Sequence, residues 1–331
     1  MKALTFFKVI FTLLRELRVQ RKFNQEYLIP KIKSLEATCD GHFTPEQLFK
    51  IKNYYSLFIP TLICSQLKYI YNDELSNTER MRTTLFGILT PLYDDIFDLE
   101  SLSDSEYKQI TLQPNEYRAT TFQTKVVRQL QSELILTAFD REAYLNACQQ
   151  VLEAQIQSKK QSDTNLQIHD LERITFDKGG YSLILYHHLL DHTLNPQVES
   201  LLYTTGSAYQ LSNDVFDIYK DVRDGIRTLP NTSANFAILT KKFQATISAQ
   251  NTAIRRLDIT SKKMSHLSIS LNLVNARTMV ALDHLAKSYP SLPPDPFDYW
   301  KSKGRHELTI DMEKPLSIIK WLRYIYSTPD Y

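Results

Sequence analysis

The chain has 331 residues, 43% apolar and 23% charged, enough to bury a full core and too apolar for a tail or a linker. Only 7 residues are glycine, far below a usual usage of about 7%, which disfavours dinucleotide-binding sheets, propellers and collagen-like arrays, all of which need glycine at special backbone angles. Lys and Arg number 39 against 37 Asp and Glu, a formal charge of +2, so no global field draws in nucleic acid or an anionic membrane, and any anionic ligand must be held locally. The opening stretch MKALTFFKVIFTLLRELRVQRK has the look of a secretory leader, but Lys8 interrupts the apolar run and no small-residue cleavage site precedes the charges, so a first helix is predicted. Its apolar run is shorter than the ~20 residues of an integral membrane span, and none is expected. Further on, apolar residues recur at helical spacing, as at Leu48, Ile51, Tyr55 and Phe58, whereas strict alternation is hard to find.

Breaks are predicted at Asp40-Gly41, Pro60, Ser76-Asn77, 101–105, Pro114, 162–165, Gly179-Gly180, Asn195-Pro196, 224–230 and 290–296. The stretch 231–289 has no Pro or Gly and is expected to hold one or two long helices; SYPSLPPDPFDYW, 288–300, reads as a surface loop before a short final helix over 315–327. No composition shift, repeat or low-complexity segment divides the chain, so 1–331 is expected to form one all-α domain. Cys39, Cys64 and Cys148 are odd in number and form no CxxC pair, which fits reduced thiols in a cytoplasmic protein and speaks against zinc.

Two segments place carboxylates inside apolar helical sequence, where burial is costly without a partner. In LFGILTPLYDDIFDLE, 85–100, Asp94 and Asp98 are four residues apart and share a helix face, with Asp95 beside them. In AYQLSNDVFDIYKDVRDGIRTLPN, 208–231, Asn213, Asp217 and Asp221 form an i, i+4, i+8 ladder of oxygen donors. Oxygen-only sets suit Mg²⁺, which is usually completed by water and substrate phosphate oxygens, and two facing ladders would hold several such ions around a diphosphate.

With Asp94-Asp95-Ile96-Phe97-Asp98 as a DDxxD motif and Asn213-Asp214-Val215-Phe216-Asp217-Ile218-Tyr219-Lys220-Asp221 as a second metal motif, the sequence resembles the class I isoprenoid synthase superfamily. It departs from the terpene-cyclase pattern NDxxSxxxE by Asp217 in place of Ser or Thr and Asp221 in place of Glu; Gln210-Leu211-Ser212-Asn213 and Leu229-Pro230 look like the squalene and phytoene synthases. The resemblance implies a helical bundle of the isoprenoid-synthase type that ionises, and in the first reading cyclises, one prenyl diphosphate. Asp94, Asp95, Asp98, Asn213, Asp217 and Asp221 would bind Mg²⁺, three ions in all. It also implies diphosphate-binding cations: Arg173, forty residues before Asn213 with Gly179-Gly180 as the nearby helix break, Lys178, Lys220, and the pair Arg323-Tyr324. Such donors are needed because charge grows on the leaving group as it departs. The 19 Tyr and 16 Phe, among them Phe86, Tyr93, Tyr181, Tyr209 and Phe216 near the motifs, offer ring faces to a carbocation. His187-His188 on an apolar helix reads as structural rather than catalytic.

Other activities stay open. Chain elongases usually place Arg-Arg after the first motif, where this chain has LESLSDSEYK. Head-to-head condensation fits QLSN and the Asp217 to Asp221 spacing, yet Asp94 to Asp98 meets its first motif only loosely. A non-catalytic helical protein of the same fold is the remaining alternative, a homodimer is compatible with each, and no basic stripe supports nucleic-acid binding.

Overall fold

The computed structural model describes residues 2–98 and 102–327, and every regular element among them is helical. The longer helices, with the short α8 between α7 and α9, are α1 (Lys2–Phe23), α2 (Ile29–Cys39), α3 (Asn77–Asp98), α4 (Phe122–Thr137), α5 (Arg141–Ser158), α6 (Ile168–His187), α7 (Pro196–Phe216), α8 (Ile218–Arg223), α9 (Phe236–Arg255), α10 (Ser261–Ser288) and α11 (Pro315–Tyr326). Polar caps start several helices: Thr44 and Ser103, before the shorter helices Pro45–Lys50 and Asp104–Leu112, and Thr121, before α4, each accept from the amide three residues on, and Asn195 does the same at α7 with Pro196 in the first turn. The Pro- and Gly-free stretch divides into α9 and α10, and the Pro-rich segment before residue 297 lies outside regular structure. Among the described residues no helix is long and apolar enough to cross a membrane.

Two expected breaks are not breaks. Pro60 lies inside a helical run from 45 to 70, in the wide π-turn Ile59–Cys64; a looser turn accommodates a residue that has no amide hydrogen to give. Gly179 and Gly180 sit inside the unbroken α6. At Asp40-Gly41 the helix does end, but Asp40, not the glycine, takes the left-handed conformation, with φ 56°, while Gly41 makes room for the ring of Phe122.

The chain forms two compact units, where the sequence shows no boundary. The amino-proximal unit comprises Phe7–Leu152 and Ile184–Leu194. Its centre is the packing of α3 on α4, with Leu85, Leu89, Leu92, Val126, Leu130 and Leu134 buried. Next to that core lies a cluster of buried charge. Glu79, with no exposed surface, accepts from Lys68 Nζ at 2.9 Å and from the amides of Ser76 and Asp191 at 2.8 Å. Lys68 is itself buried and also pairs with Asp73, and Arg82 pairs with Asp191 and donates to the Thr137 carbonyl at 2.6 Å. These bonds fasten the segment after α6 to α3. His187 is also fully buried there, its Nε2 2.7 Å from the Tyr71 hydroxyl, in the structural role expected of it.

The carboxy-proximal unit comprises Met1–Phe6, Glu153–Leu183 and Asn195–Tyr331. Helices α7, α9 and α10 pack on one another, and α11 lies on α10. Leu211, Val215, Ile218, Phe236, Phe243, Leu282 and Trp300 form the core. Gly179 of α6 and Gly206 of α7 meet backbone to backbone: a Cβ on either would lie 2.1 Å from the other's carbonyl oxygen. That contact accounts for a glycine inside a helix, where it otherwise costs about 1 kcal/mol against alanine.

Candidate functional site

In the carboxy-proximal unit the site grows from the end of α7. The helix stops at Phe216; Asp217, with φ −99° and ψ 9°, bends the chain, and α8 continues from Ile218. The backbone bonds Asp217 N–H to Asn213 O, 2.9 Å, and Asp221 N–H to Asp217 O, 2.8 Å, carry across the bend, so the ladder survives as a hydrogen-bond path. Its side chains do not share one environment. Asn213 is exposed, Asp217 is half-buried, and Asp221 is buried; Asp214, which the i+4 count passes over, is buried as well.

Asp214 accepts from Gln210 Nε2 at 2.8 Å and from Thr175 Oγ1 of α6 at 3.2 Å. Burial pushes its carboxyl up to about 6, against the pull of the Gln210 bond and Lys178. Asp221 is pushed up to about 8, first by burial and then by the charges of Asp214 and Asp217. Burial also raises Asp217, with Lys220 and Arg277 acting in the opposite direction. The structure thus assembles three carboxylates, Asp214, Asp217 and Asp221, whose shared difficulty is an excess of negative charge in a poorly solvated place.

The expected cations divide. Lys178 is half-buried and acts on both Asp214 and Asp221. Lys220 is exposed and pairs with Asp224 at 3.3 Å while still acting on Asp217 and Asp221. Arg173 is exposed and bound to Asp170 at 3.0 Å, and the helix break expected beside it is absent because α6 runs on through the glycine crossing. Arg323 is exposed; Tyr324 packs on the core, with Asp283, Lys320 and Arg323 as its charged neighbours. Arg277, absent from the sequence candidates, stacks 4.0 Å above the ring of Phe216 and acts on Asp217. Gln210 and Thr175, the donors to Asp214, were also missed. The QLSND string carried a signal for Gln210, one turn before Asp214, but nothing local marks Thr175 or Arg277.

In the amino-proximal unit Asp94 and Asp95 lie half-buried near the end of α3. Asp95 accepts from Gln47 Nε2 at 2.7 Å, and Asp94 from the Tyr55 hydroxyl at 3.4 Å. Lys50 is raised, first by its bond to Glu46 and also by Asp95 and Asp94. Asp98 closes α3, and its side chain lies outside the described residues. Of the aromatic candidates, Phe86 packs edge-on to Tyr186 and Tyr181 to Tyr203, and the Tyr209 hydroxyl donates to the Leu271 carbonyl at 3.4 Å.

Among the described residues no three His, Cys, Asp or Glu side chains converge as a ready-made metal cage. The donors do suit a hard divalent ion in kind: they are oxygens only, and their proton affinity is raised by burial and mutual repulsion, so a cation would relieve both. No protein-family model matches the chain, and neither a curated protein nor a solved structure matches it.

Proposed function

We propose that the chain is a class I terpene synthase that uses Mg²⁺ to ionise one prenyl diphosphate and guide its cyclisation. The observation that carries this reading is the trio Asp214, Asp217 and Asp221 at the bend between α7 and α8, where burial raises all three carboxyls and neighbouring acids add to it at Asp214 and Asp221. Asn213, Asp217 and Asp221 would ligate Mg²⁺, and Asp214, held by Gln210 and Thr175, would steady them from behind. Asp94, Asp95 and Asp98 keep the ligand role that the resemblance implies. Bound Mg²⁺ supplies charge to the departing diphosphate. Lys178, Lys220 and Arg277 would donate to its oxygens, and the apolar helices would keep water from the cation.

The test combines binding and turnover. Inorganic diphosphate with MgCl₂ should raise the melting temperature when neither does so alone, because a ligand that binds only the native state stabilises it. C10 to C25 prenyl diphosphates should release diphosphate and give products of unchanged carbon number. Asp217→Ala should lose both responses while circular dichroism stays helical. No magnesium-dependent shift and no release from any of these substrates would overturn the proposal, and a product with five added carbons, or a doubled skeleton, would replace it with a prenyltransferase.

A further inference from the structure

Helix α1 turns two different faces to its surroundings. Inward, Val9 and Leu13 are buried, Glu16 accepts from Arg80 at 2.6 Å, and Gln20 bonds Asn24 and Thr84. Outward, Phe7, Phe11 and Leu14 stand 66%, 72% and 59% exposed, at a spacing that sets them along one side. Large apolar side chains in a row on a surface mark a contact with something other than water.

The charges around this row identify that contact. Lys8, Arg18 and Arg21 are exposed beside or just beyond it and make no ion pair among the described residues. Glu16 is the sole acid in the first 25 residues, and it is turned inward. A second copy of the chain laid on this face would bring cations against cations. Arg15, next to Leu14, pairs with the exposed Glu74 at 2.8 Å, which leaves Lys8, Arg18 and Arg21 as the unpaired charges along the row among the described residues. An apolar row with an excess of unpaired bases is the composition of a helix that lies in the plane of an anionic bilayer, with its rings among the acyl chains and its ammonium and guanidinium groups at the lipid phosphates. From Phe7 to Leu14 the row is about 10 Å long at 1.5 Å per residue, enough for a shallow anchor and far too short to span. We infer that the outward face of α1 binds reversibly to the surface of membranes rich in anionic phospholipid.

Co-sedimentation of the full chain with vesicles tests this directly. Vesicles of phosphatidylcholine with 30% phosphatidylglycerol should bind the protein, vesicles of phosphatidylcholine alone should bind it about tenfold less, and salt should weaken the binding. Phe7→Ala/Phe11→Ala/Leu14→Ala should reduce the partition about tenfold or more, and Lys8→Glu/Arg18→Glu/Arg21→Glu should abolish the preference for anionic lipid. Both variants change exposed positions, and unchanged helicity checks that they fold. Leu136→Ala/Phe139→Ala is the control: these residues are as exposed but lie near Glu133 and Asp140, and the partition should stay at the wild-type value. The inference falls if wild-type protein stays in solution with anionic vesicles, if the α1 alanine variant binds like wild type, if the control loses as much, or if the face proves to hold a protein dimer that the alanine variant dissociates.

Discussion

In the amino-proximal unit Lys68 and Glu79 leave water together, whereas in the carboxy-proximal unit Asp214, Asp217 and Asp221 leave it with cations that remain half-buried or exposed. Burial alone would neutralise Glu79, but the amides of Asp191 and Ser76 and the ammonium of Lys68 hold its carboxyl below the usual range. Burial alone would also lower Lys68, and its bonds to Asp73 and Glu79 raise it instead. In the acid trio burial wins: it raises all three carboxyls, the neighbouring acids add to it at Asp214 and Asp221, and the nearby cations offset it only in part. The first arrangement is complete as it stands and serves the fold; the second, under the proposed function, is completed by Mg²⁺.

The contrast breaks most visibly at Glu79. Glu79→Ala leaves Lys68 buried beside fewer acceptors and strips two amides of their partner, and such a half-broken buried pair costs about 3–5 kcal/mol. Urea unfolding should show that loss, and a loss under 1 kcal/mol would mean that the cluster is dispensable to the fold.

His187 sharpens the comparison, being a group buried in its neutral form. Burial first, then His188 and His192, pull its pKa down to about 3 from 6.5. The unfolded chain therefore takes up the proton first, and stability falls as pH drops from about 6.5 toward 3. Between pH 7 and pH 5 the loss from this one group is about 2 kcal/mol. His187→Phe removes the titration and adds a pH-independent cost for the Tyr71 hydroxyl, so its stability should change less between these two pH values than that of wild type. His266, pulled down to about 4 by burial, titrates in both proteins and cancels. Equal slopes would show that water reaches His187 in the native state.

The smallest effect has the opposite sign. Asp221, with its pKa raised, loses native stability as pH rises from about 4 through 8, so Asp221→Asn should stabilise the protein without metal by on the order of 1 kcal/mol at pH 8, and less at pH 5. Destabilisation at pH 8 would mean that the carboxylate already has its partner within the fold.

Much of the helical plan was legible because it is local. Periodicity and the absence of Pro and Gly marked α9 and α10, and the apolar spacing of PLSIIKWLRYIY marked α11. The errors arose where a local signal has a distant cause. Gly179-Gly180 has the composition of a break, but α7 approaching across the unit makes it a contact. Pro60 reads as a stop, yet the surrounding run absorbs it in a wider turn. At the site, counting by four from Asn213 found Asp217 and Asp221 but assumed a straight helix with one face; the bend at Asp217 and the bonds from Gln210 and Thr175 select Asp214 for burial. Arg277 lies sixty residues beyond Asp217, and only tertiary packing places it there.

The glycine crossing has a consequence in the counting of residues. Thr175 stands four residues before Gly179, and Gln210 and Asp214 stand four and eight after Gly206. Where two backbones touch, neither helix has room to slide or roll, so the crossing acts as an indexing mark from which both are measured. Thr175 reaches Asp214 only at this count. One residue inserted between Gly206 and Gln210 would turn everything beyond it by about 100°, and a whole added turn would restore the angle but shift the acids by about 5 Å. The spacing from glycine to aspartate is thus as much a part of the site as the aspartates are.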